Sequence, residues 1–127
     1  MHIDIHDNAK DDLRALRTSA PPVAAAILAA LQQMEADPRL IDKLTTYGAN
    51  EFGSVRIGVK QWEKAKGIGN LWRFRVFDTP ATVYRVIYGY HYQTKQICVL
   101  AVVHKEGFNY ELDSDIARRI LNDWRDI

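Results

Sequence analysis

Six side chains in the second half of the sequence could hold a phosphate or move a proton: Arg73, Arg75, Arg85, His104, Lys105 and Tyr110. The first two stand in the run Leu71-Trp72-Arg73-Phe74-Arg75-Val76. On a strand, successive side chains point to opposite faces, so Trp72, Phe74 and Val76 share one face. Arg73 and Arg75 share the other, with their guanidiniums roughly 7 Å apart. The run Tyr84-Arg85-Val86-Ile87-Tyr88 repeats the alternation. Cross-strand register decides whether Arg85 joins the first two on one surface; if it does, the three make a clamp for phosphate or for a partner's carboxylates. Beyond the last apolar strand come His104 and Lys105, then Tyr110. An imidazole serves as acid or base near neutral pH, an ammonium stabilises negative charge, and a phenol stacks on a base or relays a proton. That set suits RNA cleavage without a metal.

Other candidates carry less. His2, Asp4 and His6 fall on one face of a terminal strand, but an ordinary polar strand face gives the same spacing, and no metal site is expected. Gly67-Ile68-Gly69 lacks the further glycine and the lysine of a phosphate-binding loop and reads as a turn. Ser54 and Cys98 have no neighbouring base to activate them, and Cys98 lies in an apolar strand where a thiol is packing. No cofactor is implied.

The elements that must position the six follow from periodicity. Residues 2–6 alternate as a half-buried strand, and Asp7 is placed to cap a helix carrying Ala9, Leu13 and Leu16. Pro21 and Pro22 suit the first turn of a second helix, whose stripe of Val23, Ile27, Leu31 and Met34 runs to Asp37-Pro38. The two helices are expected to form an antiparallel hairpin. Residues 45–70, with scattered glycines, read mostly as a long loop, with room for a short strand near Val55–Val59 and a helical turn near Gln61–Lys66. Three strands follow, Leu71–Phe77, Val83–Tyr92 and Gln96–Val103, joined by connections short enough for hairpins. In the last of them Ile97, Val99, Ala101 and Val103 are expected on one face and Cys98, Leu100, Val102 and His104 on the other. Asp113 or Ser114 caps a final helix with Ile116, Ile120 and Trp124 on its buried side. The order β-α-α-β-β-β-α describes a single α+β domain over 1–127, a small antiparallel sheet packed against a helical hairpin, with a C-terminal helix.

Length and charge narrow the function classes. At 127 residues with 47% hydrophobic and 26% charged residues, the chain suits one folded domain rather than a two-domain enzyme or a disordered segment. One cysteine excludes an internal disulfide, and no run is apolar enough to span a membrane, so a cytoplasmic setting and no membrane partner are expected. The net charge of +1 conceals a division. Five basic residues face eight acidic ones in 1–55, seven face two in 56–85, and five face six in 86–127. The basic block falls on the arginine strands, so any nucleic-acid contact is confined to one sheet face.

The order of elements, the pairing of Leu71-Trp72-Arg73-Phe74-Arg75-Val76 with Tyr84-Arg85-Val86-Ile87-Tyr88, and the apolar strand ending in His104-Lys105 together resemble the RelE/ParE superfamily of type II toxin–antitoxin toxins. Lys43-Leu44 matches the lysine-leucine that often precedes the sheet in that family. The resemblance implies a small curved sheet on a helical hairpin. It also implies a toxin neutralised by a cognate antitoxin. Many members enter the ribosome and cut mRNA there, with the 2′-hydroxyl as internal nucleophile and no metal. By the same resemblance Arg73, Arg75 and Arg85 would hold the phosphate, Lys105 with His104 would match the basic cluster after the last strand, and Tyr110 the tyrosine near the C-terminus. A ParE-like inhibitor of DNA gyrase and an inactive homologue that only binds its antitoxin are the alternatives.

Overall fold

The computed structural model describes residues 3–127; His2 lies outside them. The chain begins with β1 (Ile3–Ile5), α1 (Asp7–Ser19), α2 (Pro21–Glu35) and a single-turn α3 (Leu40–Leu44). Strands β2 (Gly48–Phe52), β3 (Val55–Gln61), β4 (Leu71–Val76), β5 (Tyr84–His91) and β6 (Gln96–His104) follow, and α4 (Asp115–Arg125) ends the fold. No described helix is long and apolar enough to cross a membrane.

The strands form one six-stranded sheet in the order β1-β6-β5-β4-β3-β2. The α+β architecture agrees with the sequence reading, with two corrections. The sheet is mixed rather than antiparallel, because β1 runs parallel to β6, Ile3 beside Ile97 and Ile5 beside Val99. Residues 45–70 are not mainly loop. Over 48–61 they form a hairpin that extends the sheet by two strands, closing Phe52 against Val55 around Gly53, whose φ of +61° suits a residue without Cβ. The 3-10 turn at Glu63–Ala65 matches the expected helical turn.

Caps set the helix ends. At α1 the cap is His6 rather than Asp7: its imidazole Nδ1 accepts from the Asn8 amide at 3.1 Å. At α4 Ser114 is the cap, its hydroxyl accepting from the Ala117 amide at 3.1 Å.

Both sheet faces are covered, which explains the apolar residues on either side of β6. The α1–α2 hairpin packs on one face against Val59, Phe74, Val76, Val86, Tyr88 and Val99. The other face buries Leu71, Ile87, Cys98, Leu100, Ala101 and Val103 beneath Phe108 and the Ala117, Ile120 and Leu121 side of α4. Helix α4 covers only part of that face.

A bulge in β6 sets where its side chains point. Ile87 pairs with Ala101 but Tyr88 pairs with Val99, so Leu100 is an extra residue. The expected alternation therefore inverts halfway: Cys98 and Leu100 share the α4 side with Ala101 and Val103, while Val102 joins Ile97 and Val99 under the hairpin. Pairing with β1 ends where the His6 amide donates to Val99 O at 2.9 Å, which leaves the outer edge of β6 open at the bulge. Two side chains close it. Asp12 accepts from the Val102 amide at 3.0 Å, and Arg119 donates to Leu100 O at 3.0 Å. The two also bind each other through paired contacts of 3.1 and 2.8 Å.

Candidate phosphate-binding face

The part of the α4-side face left uncovered is where the arginines lie. Arg73 stands opposite Ile87 on one side and Lys60 on the other, and Arg75 stands opposite Gly58. Arg85 stands two positions from Ile87 along β5, beside Val103 of β6, and so projects to the same side of the sheet. Arg73, Arg75, Arg85 and Lys60 therefore share one surface, bounded by the apolar patch under α4. The sequence left the arrival of Arg85 open, and this register decides it.

The electrostatics agree. Burial pulls the Arg85 guanidinium below its ordinary pKa, and the charges of Arg73 and, more weakly, Arg75 add to that fall, while Tyr110 opposes it. Arg85 Nη1 donates to Thr82 O at 2.9 Å and Tyr84 O at 3.0 Å, which fixes the fork while leaving Nε and Nη2 for a ligand. Among the described residues, no carboxylate forms an ion pair with Arg73, Arg75 or Arg85. Arg17, Arg39 and Arg125 likewise form none, whereas Arg14, Arg56, Arg118 and Arg119 each have one, in Asp11, Asp78, Asp115 and Asp12.

Tyr110 completes this corner. Its backbone is in the left-handed region at φ +63°, a strained conformation for a residue with a bulky side chain. Its carbonyl accepts from Trp62 Nε1 at 2.8 Å, and its ring packs 4.7 Å from Phe108 and 6.2 Å from Trp62. Those contacts hold the phenol against the arginines. Its hydroxyl oxygen is buried without a hydrogen-bond partner. Burial raises the phenol pKa above its usual value, against the pull of Arg73 and Arg85, so the group stays protonated at neutral pH. A buried donor facing guanidiniums and lacking an acceptor is suited to an anion.

Of the six predicted residues, the structure puts Arg73, Arg75 and Arg85 on one face, with Tyr110 acting on Arg85 and lining a cleft with Arg73, and sets His104 on the other face. His104 pairs with Tyr84 at the end of β6, ring centroids 5.1 Å apart. It alternates with Val103, so it lies on the hairpin side with Val102, opposite the face of Arg85. Its Nδ1 accepts from the Glu106 amide at 3.1 Å. Lys105 follows, exposed at the turn after β6, its amide donating to Val83 O at 2.8 Å in continuation of the β5–β6 register.

Several residues of this face escaped the sequence reading. A cleft of about 190 Å3 is lined by Lys60, Trp62, Glu63, Lys64, Arg73 and Tyr110. A second, of about 170 Å3, is lined by Tyr47, Gly58, Lys60, Arg73, Arg75 and Phe77. Their signal was the alternation of Arg56, Gly58 and Lys60 with Ile57 and Val59, the same two-residue period as in β4.

Among the described residues, no group of three or more His, Cys, Asp and Glu side chains is placed to hold a metal ion. His6 instead caps α1 and stands 3.5 Å from Asp123. No family model, curated protein or solved structure matches the chain.

Proposed function

We propose that this chain is a toxin of the RelE/ParE kind that cleaves mRNA on the ribosome and is neutralised by a cognate antitoxin. One observation carries the reading: Arg73 and Arg85, without carboxylate partners, meet a buried, protonated tyrosine on the sheet face that also carries Arg75. The sequence resemblance, carried in part by the same arginine strands, supports it.

The chemistry follows from those groups. Arg73 and Arg85 hold the non-bridging oxygens of a phosphodiester and offset the charge that builds up on them. The neighbouring 2′-oxygen forms a bond to phosphorus and the bond from phosphorus to the 5′-oxygen breaks. The 2′-hydroxyl proton passes to solvent, and Tyr110 gives its own proton to the departing 5′-oxygen, recovering it from water. The products end in a 2′,3′-cyclic phosphate and a 5′-hydroxyl. An antitoxin segment rich in acidic residues would cover the same cations.

A second reading, inhibition of DNA gyrase by protein contact, is favoured by one observation. Among the described residues, no imidazole joins the arginines, so the face lacks a side chain that would take the 2′-hydroxyl proton near neutral pH. Induced expression separates the two. Primer extension on cellular mRNA is expected to show cuts within translated codons, and these are expected to disappear in Arg73→Ala and Arg85→Ala. Growth arrest with DNA damage and intact mRNA overturns the nuclease reading.

A further inference from the structure

Arg73 and Arg75 do not act on Arg85 equally: Arg73 is the stronger influence on its guanidinium. The reason lies on the other side of β4. The Phe77 ring folds back over β3 at Gly58, where an added Cβ would come within 2.8 Å of the ring. The Arg75 guanidinium lies over that ring, 4.8 Å from its centroid. Phe77 thus draws Arg75 away from Arg85 and into the second cleft, beside Lys60 and Tyr47.

We infer that this second cleft, built by the β2–β3 hairpin, is a separate nucleotide subsite. In it Tyr47 stacks a base, Arg75 and Lys60 bind the adjoining phosphate, and single-stranded RNA crosses the face from there to Tyr110. The inference rests on the RNA reading proposed above and adds how the substrate is held.

Three features support an RNA strand over a compact ligand. The two clefts share Lys60 and Arg73, so they form a continuous path with cations along its floor. Each is smaller than the roughly 300 Å3 of a typical small-molecule pocket, which suits one ring system at a time. Tyr47 is 75% exposed beside that path, an aromatic surface that adds nothing to the core and is available to a base. Gly58 seats the Phe77 ring that carries Arg75, since any side chain there would meet the ring.

Fluorescence anisotropy with a labelled, 2′-O-methylated RNA hexanucleotide tests this, because blocking the 2′-hydroxyl leaves the strand uncut and reads binding alone. Tyr47→Ala, at an exposed position that the fold does not need, is expected to weaken binding roughly ten-fold. Tyr47→Phe is expected to bind like the wild type. Arg75→Ala is expected to reduce the slope of log affinity against log salt by about 0.7, the share of one phosphate on a single strand. Wild-type binding that neither Tyr47→Ala nor Arg75→Ala alters overturns the second subsite and leaves the proposed function standing. No binding by the wild-type chain overturns the second subsite, while the cleavage reading stands or falls on primer extension. A labelled oligoglutamate that binds as tightly as RNA, with the same loss in Tyr47→Ala, assigns the cleft to an acidic peptide and overturns the subsite.

Discussion

Tyr84 and His104 face each other across β5 and β6, ring centroids 5.1 Å apart and planes at 80°, on the side of the sheet opposite Arg85. Alternation alone puts neighbouring residues on opposite faces, so an imidazole paired with Tyr84 is turned from the guanidinium one position later. The edge-to-face contact gives that imidazole a packing role at the strand end.

Substituting His104 therefore separates packing from chemistry. His104→Ala is expected to keep mRNA cleavage within about two-fold, because the ring makes no contact on the arginine face. Arg85→Ala is expected to lower it about 100-fold, in the range for losing one group that stabilises developing charge. Rates on programmed ribosomes measure both. A collapse in His104→Ala with stability unchanged would return the imidazole to the reacting centre.

The misplacement of His104 shows where sequence reading loses its hold. The alternation in β4 and β5 was legible because Arg73 and Arg75 sit between buried apolar residues and Arg85 between partly buried Tyr84 and buried Val86, and no insertion interrupts the β4–β5 pairing. In β6 both faces are apolar, so nothing in the residue types betrays that Leu100 is a bulge, and every side chain after it changes face. The β2–β3 hairpin, of which the sequence offered only a short strand near Val55–Val59, was obscured for another reason. Gly53 and Gly58 weaken the strand signal, yet one makes the turn and the other seats the Phe77 ring, which only the folded sheet reveals.

The Asp12–Arg119 pair is expected to matter for stability more than an exposed ion pair would. Each partner also satisfies a backbone group at the bulge, so removing either orphans an amide or a carbonyl. Asp12→Ala is expected to cost about 2–3 kcal/mol by urea unfolding. Arg119→Ala is expected to cost a similar amount, and the double variant clearly less than the sum, the mark of a shared network. Additive losses would mean that the two act separately.

Alkaline pH is expected to loosen the fold in two stages. Burial, with smaller contributions from Asp4 and Asp123, raises the Cys98 thiol from 9.0 to about 11. The unfolded thiol thus ionises first. Stability from this group is complete below pH 9 and is lost as pH rises towards 11. Tyr88, whose buried hydroxyl donates to Leu44 O at 2.6 Å, and Tyr110 are both raised above 10.0, chiefly by burial, and add a further loss above that pH. Urea midpoints between pH 8 and 11 are expected to fall, and Cys98→Ala to flatten the section from 9 to 10. An unchanged slope in that variant would rule out the thiol as its source.

Gly58 offers a way to move Arg75 without touching it. The backbone there is ordinary extended strand, so Gly58→Ala adds no conformational strain; what it adds is a methyl group facing the Phe77 ring at 2.8 Å and Arg75 Nε at 3.6 Å. Phe77 is only partly buried, so the ring has room to swing outward, and the stability cost is expected to stay near 1 kcal/mol. The displaced ring no longer holds the guanidinium, and RNA affinity is expected to fall several-fold. The effect passes through Phe77, so adding Gly58→Ala to Phe77→Ala is expected to change affinity no further, which a double-mutant cycle reads directly. Independent, additive losses would show that Gly58 acts on the RNA path by itself and that the Phe77 ring does not position Arg75.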